Sequence, residues 1–116
     1  MIGRKNRFHG YGSLRQVYRA GRMARGPLFG MKAVANPRRD SYRAAVVVSR
    51  KVSKSAVVRN RIRRRLYSSI QELAGRFAAP HDIVITVFSS TVAELPAAEL
   101  AGQLKKQLKE LNIIQK

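Results

Sequence analysis

No cysteine occurs anywhere in the 116 residues. That excludes disulfides and thiolate metal sites, and it suits a reducing cytosol, so a cytoplasmic location is expected. Tryptophan is absent too, and only four prolines interrupt the chain. No apolar run approaches the length of a membrane span, and no apolar stretch follows the basic start MIGRKNRFHG, so neither a membrane anchor nor a secretory signal is expected. The scarcest chemistry is acidic. Six Asp+Glu stand against 24 Lys+Arg, and no two acids are closer than five positions. The two histidines, His9 and His81, lie in no metal-ligand spacing, and neither a G-x-S-x-G elbow nor a phosphate-binding G-x-x-x-x-G-K-[ST] loop is present. A protein-borne nuclease site needs carboxylates or histidines gathered together, so catalysis by the chain itself is not expected, and no small-molecule substrate is implied.

What the chain has is positive charge, and the charge is placed unevenly. Nineteen of the 24 basic residues fall in positions 1–65 with a single acid, Asp40, while the remainder is neutral. Solubility does not require that asymmetry. A polyanionic partner does, because each neutralised phosphate releases condensed counterions. The 45% hydrophobic content predicts a folded body, one domain over residues 1–116, with residues 1–12 as a basic, flexible arm.

Residues 56–77, AVVRNRIRRRLYSSIQELAGRF, predict a helix. Val58, Ile62, Leu66, Ile70, Leu73 and Phe77 recur at steps of four or three and form one apolar stripe. Arg64 falls nearly opposite that stripe, with Arg61 and Arg65 beside it on the outward arc and Asn60 on the polar side. Arg59 and Arg63 fall near the edge of the stripe and must snorkel or touch the preceding loop. Ser53 or Ser55 is placed to cap the helix, and Gly75 and Pro80 bracket its end. Guanidinium forks donate paired hydrogen bonds in a plane, which suits phosphate oxygens.

Around this helix, Ser13 is placed to cap a short helix carrying Leu14, Val17 and Tyr18 on one face and Arg15, Arg19 and Arg22 on another, with Gly21 at its end. Leu28–Ala35 reads as a strand that Gly30 weakens or bulges. Tyr42–Ser49 is rich in β-branched residues and reads as a central strand covered on both faces. Asp82–Phe88 reads as another strand, with His81 in the preceding turn. Pro96 fits a first helical position, and Ala97, Leu100, Ala101, Leu104, Leu108 and Leu111 form a last helical stripe with Lys105, Lys106 and Lys109 outward. The order helix, strand, strand, helix, strand, helix predicts an α+β sandwich on a small sheet. Should the strands flanking the arginine helix be parallel, the general rule gives a right-handed crossover. Phe8, Tyr11, Tyr18, Phe29 and Tyr42 interleave with the basic residues. Phe29 reads as core, and exposed members of the set can stack on unpaired bases.

The stretch VVVSRKVSKSAVVRNRIRRRLYSSIQE closely resembles the RNR signature of the bacterial ribonuclease P protein family. KNRFHGYGSLRQVYRAG and HDIVITVFSSTVAELPAAELAGQLKKQL resemble the family's flanking parts. The resemblance implies an RNA-binding, ribonucleoprotein subunit that assists a catalytic RNA in tRNA processing, namely endonucleolytic removal of the 5′ leader from precursor tRNA. Hydrolysis and its metal ions, Mg2+ among them, would belong to the RNA; the protein would hold no cofactor and would aid substrate and metal-ion binding. The implied fold has a small mixed sheet of four strands, one more than the residues reveal, in the order α-β-β-(β)-α-β-α with a left-handed β-α-β crossover. The implied contacts to the catalytic RNA are Arg50, Lys51, Lys54, Arg59, Asn60, Arg61, Arg64 and Arg65, and those to the leader are Tyr18, Arg15 and Lys32. Leu14 and Lys32 stand where the family often carries aromatics, and Ser53 replaces a frequent glycine. A cleft poorer in aromatics leans more on charge, so its leader binding is expected to be more salt-sensitive. A structured-RNA-binding protein of ribosomal type, with no processing role, is the alternative.

Overall fold

A computed structural model describes residues 6–8 and 12–114. Most of the expected basic arm, including His9 and Tyr11, and the side chain of Ser13 lie outside the described residues. The elements run α1 (Gly12–Ala20), β1 (Arg22–Arg25), β2 (Phe29–Ala35), β3 (Arg43–Val47), α2 (Ala56–Leu73), β4 (His81–Val87) and α3 (Ala97–Glu110), with 3-10 turns at Ala74–Arg76 and Ser90–Ala93. The four strands form one sheet in the order β1-β2-β4-β3. β2 pairs antiparallel with β1 and β4, and β3 pairs parallel with β4, so α2 carries a β-α-β crossover.

Alternation along the strands assigns the two faces of the sheet. Phe29, Met31, Ala33, Ala44, Val46, Ile83, Ile85 and Val87 are buried in one cluster with Ile62, Leu66 and Ile70 of α2 and Leu100, Leu104 and Leu108 of α3. This is the main core, and both long helices cover it. Each aliphatic side chain fully buried there contributes about 1.5–3 kcal/mol. The apolar stripe of α2 is the expected one from Val58 through Ile62, Leu66 and Ile70 to Leu73, with Val58 and Leu73 only partly buried at its ends, whereas Phe77, expected to extend it, lies beyond the helix in extended backbone and packs on the core from there. The opposite face receives α1, whose Val17 is fully buried and which touches β2 and β4.

Several elements differ from the expectation. β1, the fourth strand, is the short segment RMAR, three of whose residues are exposed; such a segment shows no apolar alternation and exists because β2 supplies its ladder. β3 is an edge strand, not a central one, and its burial alternates. Its edge is partly covered by other means: Arg7 bridges Ala44, and the Tyr67 hydroxyl of α2 accepts from the Val46 N–H at 3.0 Å. β4, central and buried along most of its length, takes the role assigned to β3. His81 opens β4 instead of lying in the turn before it. Pro96 stands at the N-cap of α3, one position ahead of the first helical residue. α2 ends at Leu73 and passes into a 3-10 turn that includes Gly75. β2 keeps unbroken register with β4 through Gly30, so no bulge forms there. After α3, Asn112 adopts φ 59°, a left-handed conformation that Asn tolerates, and the chain turns Ile113 and Ile114 back into the core.

Candidate nucleic-acid interface

The first basic surface is the outward face of α2. Ser55 is its N-cap and accepts from the Val58 N–H at 3.2 Å; Ser53 instead accepts from the Ser55 N–H. The five arginines of the helix then divide. Arg59 donates back to the Ser53 carbonyl at 2.9 Å, the loop contact that was one of its two expected courses. Arg63 donates to Asn60 Oδ1 at 2.6 Å, which leaves the amide NH2 of Asn60 for other acceptors. Arg65 donates to the Val92 carbonyl at 2.6 Å and to the Leu95 carbonyl. The sequence placed Arg65 on the outward arc. In the fold it turns sideways, because the turn after β4 brings two carbonyls within reach of its fork. Arg61 and Arg64 are exposed and have no protein partner among the described residues. They line a groove of about 340 Å³ between α2 and α3, where Ser68 and Ser69 add hydroxyls and Ala97 and Ala101 leave room. Arg64 also borders a depression that includes Asn60 and Arg63. Arg50, Lys51 and Lys54 are exposed in the loop leading into α2, which extends the cationic surface beyond its N-terminus.

The second surface lies on the other side of the sheet. Strand register sets Met23 beside Lys32, Arg25 beside Gly30, Lys32 beside Val84 and Gly30 beside Thr86. α1 covers only part of this face. Beside it a cleft of about 220 Å³ is lined by Tyr18, Met23, Arg25, Lys32, Thr86 and Phe88, among others. Tyr18 is 44% exposed, and Lys32 Nζ donates to its backbone carbonyl at 2.9 Å, joining α1 to β2. Of the three residues expected here, the fold brings Tyr18 and Lys32 together; Arg15 is exposed on α1 and does not line the cleft. Met23, Arg25 and Phe88 were not anticipated. Phe88 was legible in principle: Val84, Thr86 and Phe88 continue the alternation of β4 on a single face. Met23 and Arg25 were not, because their strand was not.

The remaining aromatics among the described residues are engaged within the protein. Phe29 and Tyr42 are buried, and Tyr42 meets Phe77 edge-on at 5.4 Å. Burial raises the Tyr42 phenol above its ordinary value. The Arg43 guanidinium stands 5.0 Å over the Phe8 ring while forming a two-point ion pair with Asp82 at 2.9 and 2.7 Å. Asn36 donates to the same carboxylate at 2.9 Å. The one acid buried in this region is thus spent on structure. Among the described residues no three His, Cys, Asp or Glu side chains gather as metal ligands would, and no helix is long and apolar enough to cross a membrane.

Comparison with known proteins agrees with this architecture. The family model described as Ribonuclease P matches residues 2–112. The ribonuclease P protein component of Pseudanabaena sp. (strain PCC 6903) is 33% identical over 115 residues, covering 98% of this chain and 97% of the relative. That of Thermus scotoductus is 38% identical over 100 residues, or 86% of this chain and 57% of the relative. In fold, the RNase P protein of Staphylococcus aureus superposes with a TM-score of 0.81 at 19% identity, over 95% of this chain and 98% of that one. The RNase P protein of Thermotoga maritima gives 0.75 at 20% identity, over 95% and 98%.

Proposed function

This chain belongs to the ribonuclease P protein family, and from that premise we propose that it holds the catalytic RNA on α2 and the single-stranded 5′ leader of precursor tRNA in the cleft beside α1. The observation that carries this reading is the division of labour between two separate surfaces. On α2, Arg61 and Arg64 stand exposed and unspent beside a groove with serine hydroxyls. Guanidinium forks reach pairs of phosphate oxygens, and hydroxyls and amides reach 2′-hydroxyls, which fits folded RNA. Arg50, Lys51, Lys54 and Asn60 extend the same contact. Arg59 and Arg65 act mainly through the geometry of this surface, since each is held by backbone carbonyls. The cleft is narrow and joins aromatic and cationic side chains, the combination that takes unpaired nucleotides. Its residues Tyr18 and Lys32 would meet the leader directly, with Arg15 adding charge from outside.

Bond cleavage is assigned to the RNA, together with the Mg2+ ions it requires. What supports this is the chain's own chemistry: six acids dispersed along the sequence, with Asp82 neutralised by Arg43. The protein's contribution is affinity and placement. The test is reconstitution of the purified chain with a bacterial ribonuclease P RNA, followed by 5′ maturation of precursor tRNA at low magnesium. The protein is expected to raise cleavage strongly and to favour precursor over mature tRNA in binding. Absence of stimulation would refute the subunit role, and cleavage by the chain freed of RNA would refute the assignment of chemistry.

A further inference from the structure

We propose that the cavity at the C-terminal end of α2 binds the ammonium group of an alkyl polyamine. The cavity measures about 510 Å³ and lies where α2 ends, between the turn before β3 and the segment 77–80 that leads into β4. Four other cavities of the molecule each carry two or three arginine or lysine side chains. This one has none among its lining residues, and it has a carboxylate, Asp40. Asp40 is the single acid of the basic half of the chain, and no charged side chain pairs with it among the described residues. A phosphate finds no partner here, whereas a cation does.

The rest of the lining points the same way. Asn6 is 9% exposed and borders the cavity. Its Nδ2 donates to the Tyr42 carbonyl at 2.7 Å and to Ser41 Oγ at 3.2 Å. A carbonyl can only accept, which fixes the orientation of the amide. Asn6 Oδ1 is therefore the unspent end, an acceptor with no partner among the described residues. The rings of Tyr42 and Phe77 also line the cavity, and ring faces attract ammonium groups. The last turn of α2 carries no basic residue, so the negative end of the helix is open to a cation. Arg7, Arg39 and Arg76 stand close in sequence, but none of them lines the cavity, and Arg39 Nε is turned back on the Ser41 carbonyl at 3.4 Å. Arg65, the last arginine of α2, precedes the C-cap Ala74 by nine residues, about 13 Å along the helix axis. That exceeds the Debye length of about 8 Å at physiological salt, so the repulsion of the arginine face is largely screened here.

The chemistry separates an ammonium from other cations. A divalent metal ion asks for several carboxylate or carbonyl oxygens, and Asp40 is the lone carboxylate of the lining. An alkylammonium asks for one or two acceptors, a ring and an apolar wall for its methylenes. Ala74, Ala78, Ala79 and Pro80 supply that wall. The cavity is larger than one ammonium and opens to solvent, so a diamine can insert one end and keep the other in water. A lysine presented by a partner protein would need an apolar patch around the cavity. The large exposed apolar side chains Tyr18, Met23, Val47, Val57 and Phe88 all lie elsewhere, which favours a free polyamine.

The test titrates putrescine into the full chain at physiological salt by calorimetry. 1,4-Butanediol serves as the uncharged analogue, magnesium chloride as the competitor at matched ionic strength, and Nα-acetyl-lysine amide as the stand-in for a partner's lysine. Putrescine is expected to saturate one site and butanediol to leave it empty. Asp40→Asn removes an exposed charge and is expected to weaken binding about 2- to 5-fold. A Cβ at Gly75, which borders the cavity, meets nothing within 4 Å. Gly75→Lys is therefore expected to fold, to place its own ammonium at the rim and to abolish binding, whereas Gly75→Gln, uncharged, keeps it. Thermal melting checks that each variant is folded. Absence of saturable binding overturns the site. So does a Gly75→Lys protein that binds putrescine as wild type does, or displacement of putrescine by magnesium at matched ionic strength, the mark of a diffuse counterion. Tighter binding of the lysine amide than of putrescine gives the cavity to a partner protein and overturns the polyamine.

Discussion

Arg64→Ala and Arg65→Ala, one residue apart on the same helix, are expected to fail in opposite ways. Arg65 donates to the carbonyls of Val92 and Leu95 and so ties the turn after β4 onto α2. Val92 is fully buried, which makes its carbonyl hard to satisfy with water once the guanidinium is gone. A hydrogen bond from a charged donor contributes about 1.5–3 kcal/mol. Arg65 is only half-buried, so water recovers part of the loss, and about 2–3 kcal/mol remains for the pair of bonds. For a domain of this size that corresponds to a fall in Tm of about 8–12 °C. Arg64 is exposed and holds no protein group among the described residues, so its removal changes stability by less than about 0.5 kcal/mol. It is expected instead to weaken binding to the catalytic RNA and to reduce the slope of log K against log salt by about one. Calorimetry and salt-dependent binding of the two variants decide the matter. An Arg65→Ala protein that melts like wild type and loses RNA affinity with a reduced salt slope would show that the Arg65 fork faces RNA, and the division of the arginines drawn from the fold would be wrong.

Other consequences are equally direct. Leu66→Ala empties a fully buried position in the main core and is expected to cost about 2–5 kcal/mol by denaturant unfolding. Tyr18→Ala removes an aromatic from the cleft and not from the core, so it is expected to weaken binding of leader-bearing tRNA while leaving mature tRNA and Tm nearly unchanged; an equal loss for both RNAs would remove Tyr18 from the cleft's function. Tyr42 is held above its ordinary value of 10.0 by burial, so its neutral form is favoured in the folded state. The unfolded chain ionises first, and the stability linked to Tyr42 is present below pH about 10 and is lost as pH rises further. Tyr42→Phe is expected to remove that part of the alkaline decline, measured as the difference between the two unfolding curves.

The sequence by itself determined the elements whose periodicity is long and whose chemistry is strongly sided. α2 was legible because five apolar residues recur across its length while arginines occupy the other side, and a helix leaves such a pattern one orientation. β2, β4 and α3 were legible as continuous or regularly spaced apolar runs. Helix geometry left Arg59 either to snorkel or to touch the preceding loop, and the fold shows the loop contact. Tertiary structure decided whatever depended on which element lies next to which. RMAR becomes a strand only when β2 offers it a ladder. β3 has the composition of an interior strand, yet it stands at the edge because β4 pairs between it and β2. Arg65 and Arg64 carry the same side chain, and only the position of the turn carrying Val92 and Leu95 separates a structural fork from a free one. Phe88 joins Tyr18, Met23 and Arg25 only after three strands and a helix have been brought side by side. Local pattern is encoded in neighbours along the chain, whereas a binding cleft is made from residues far apart in sequence, and their meeting is fixed by strand order and register.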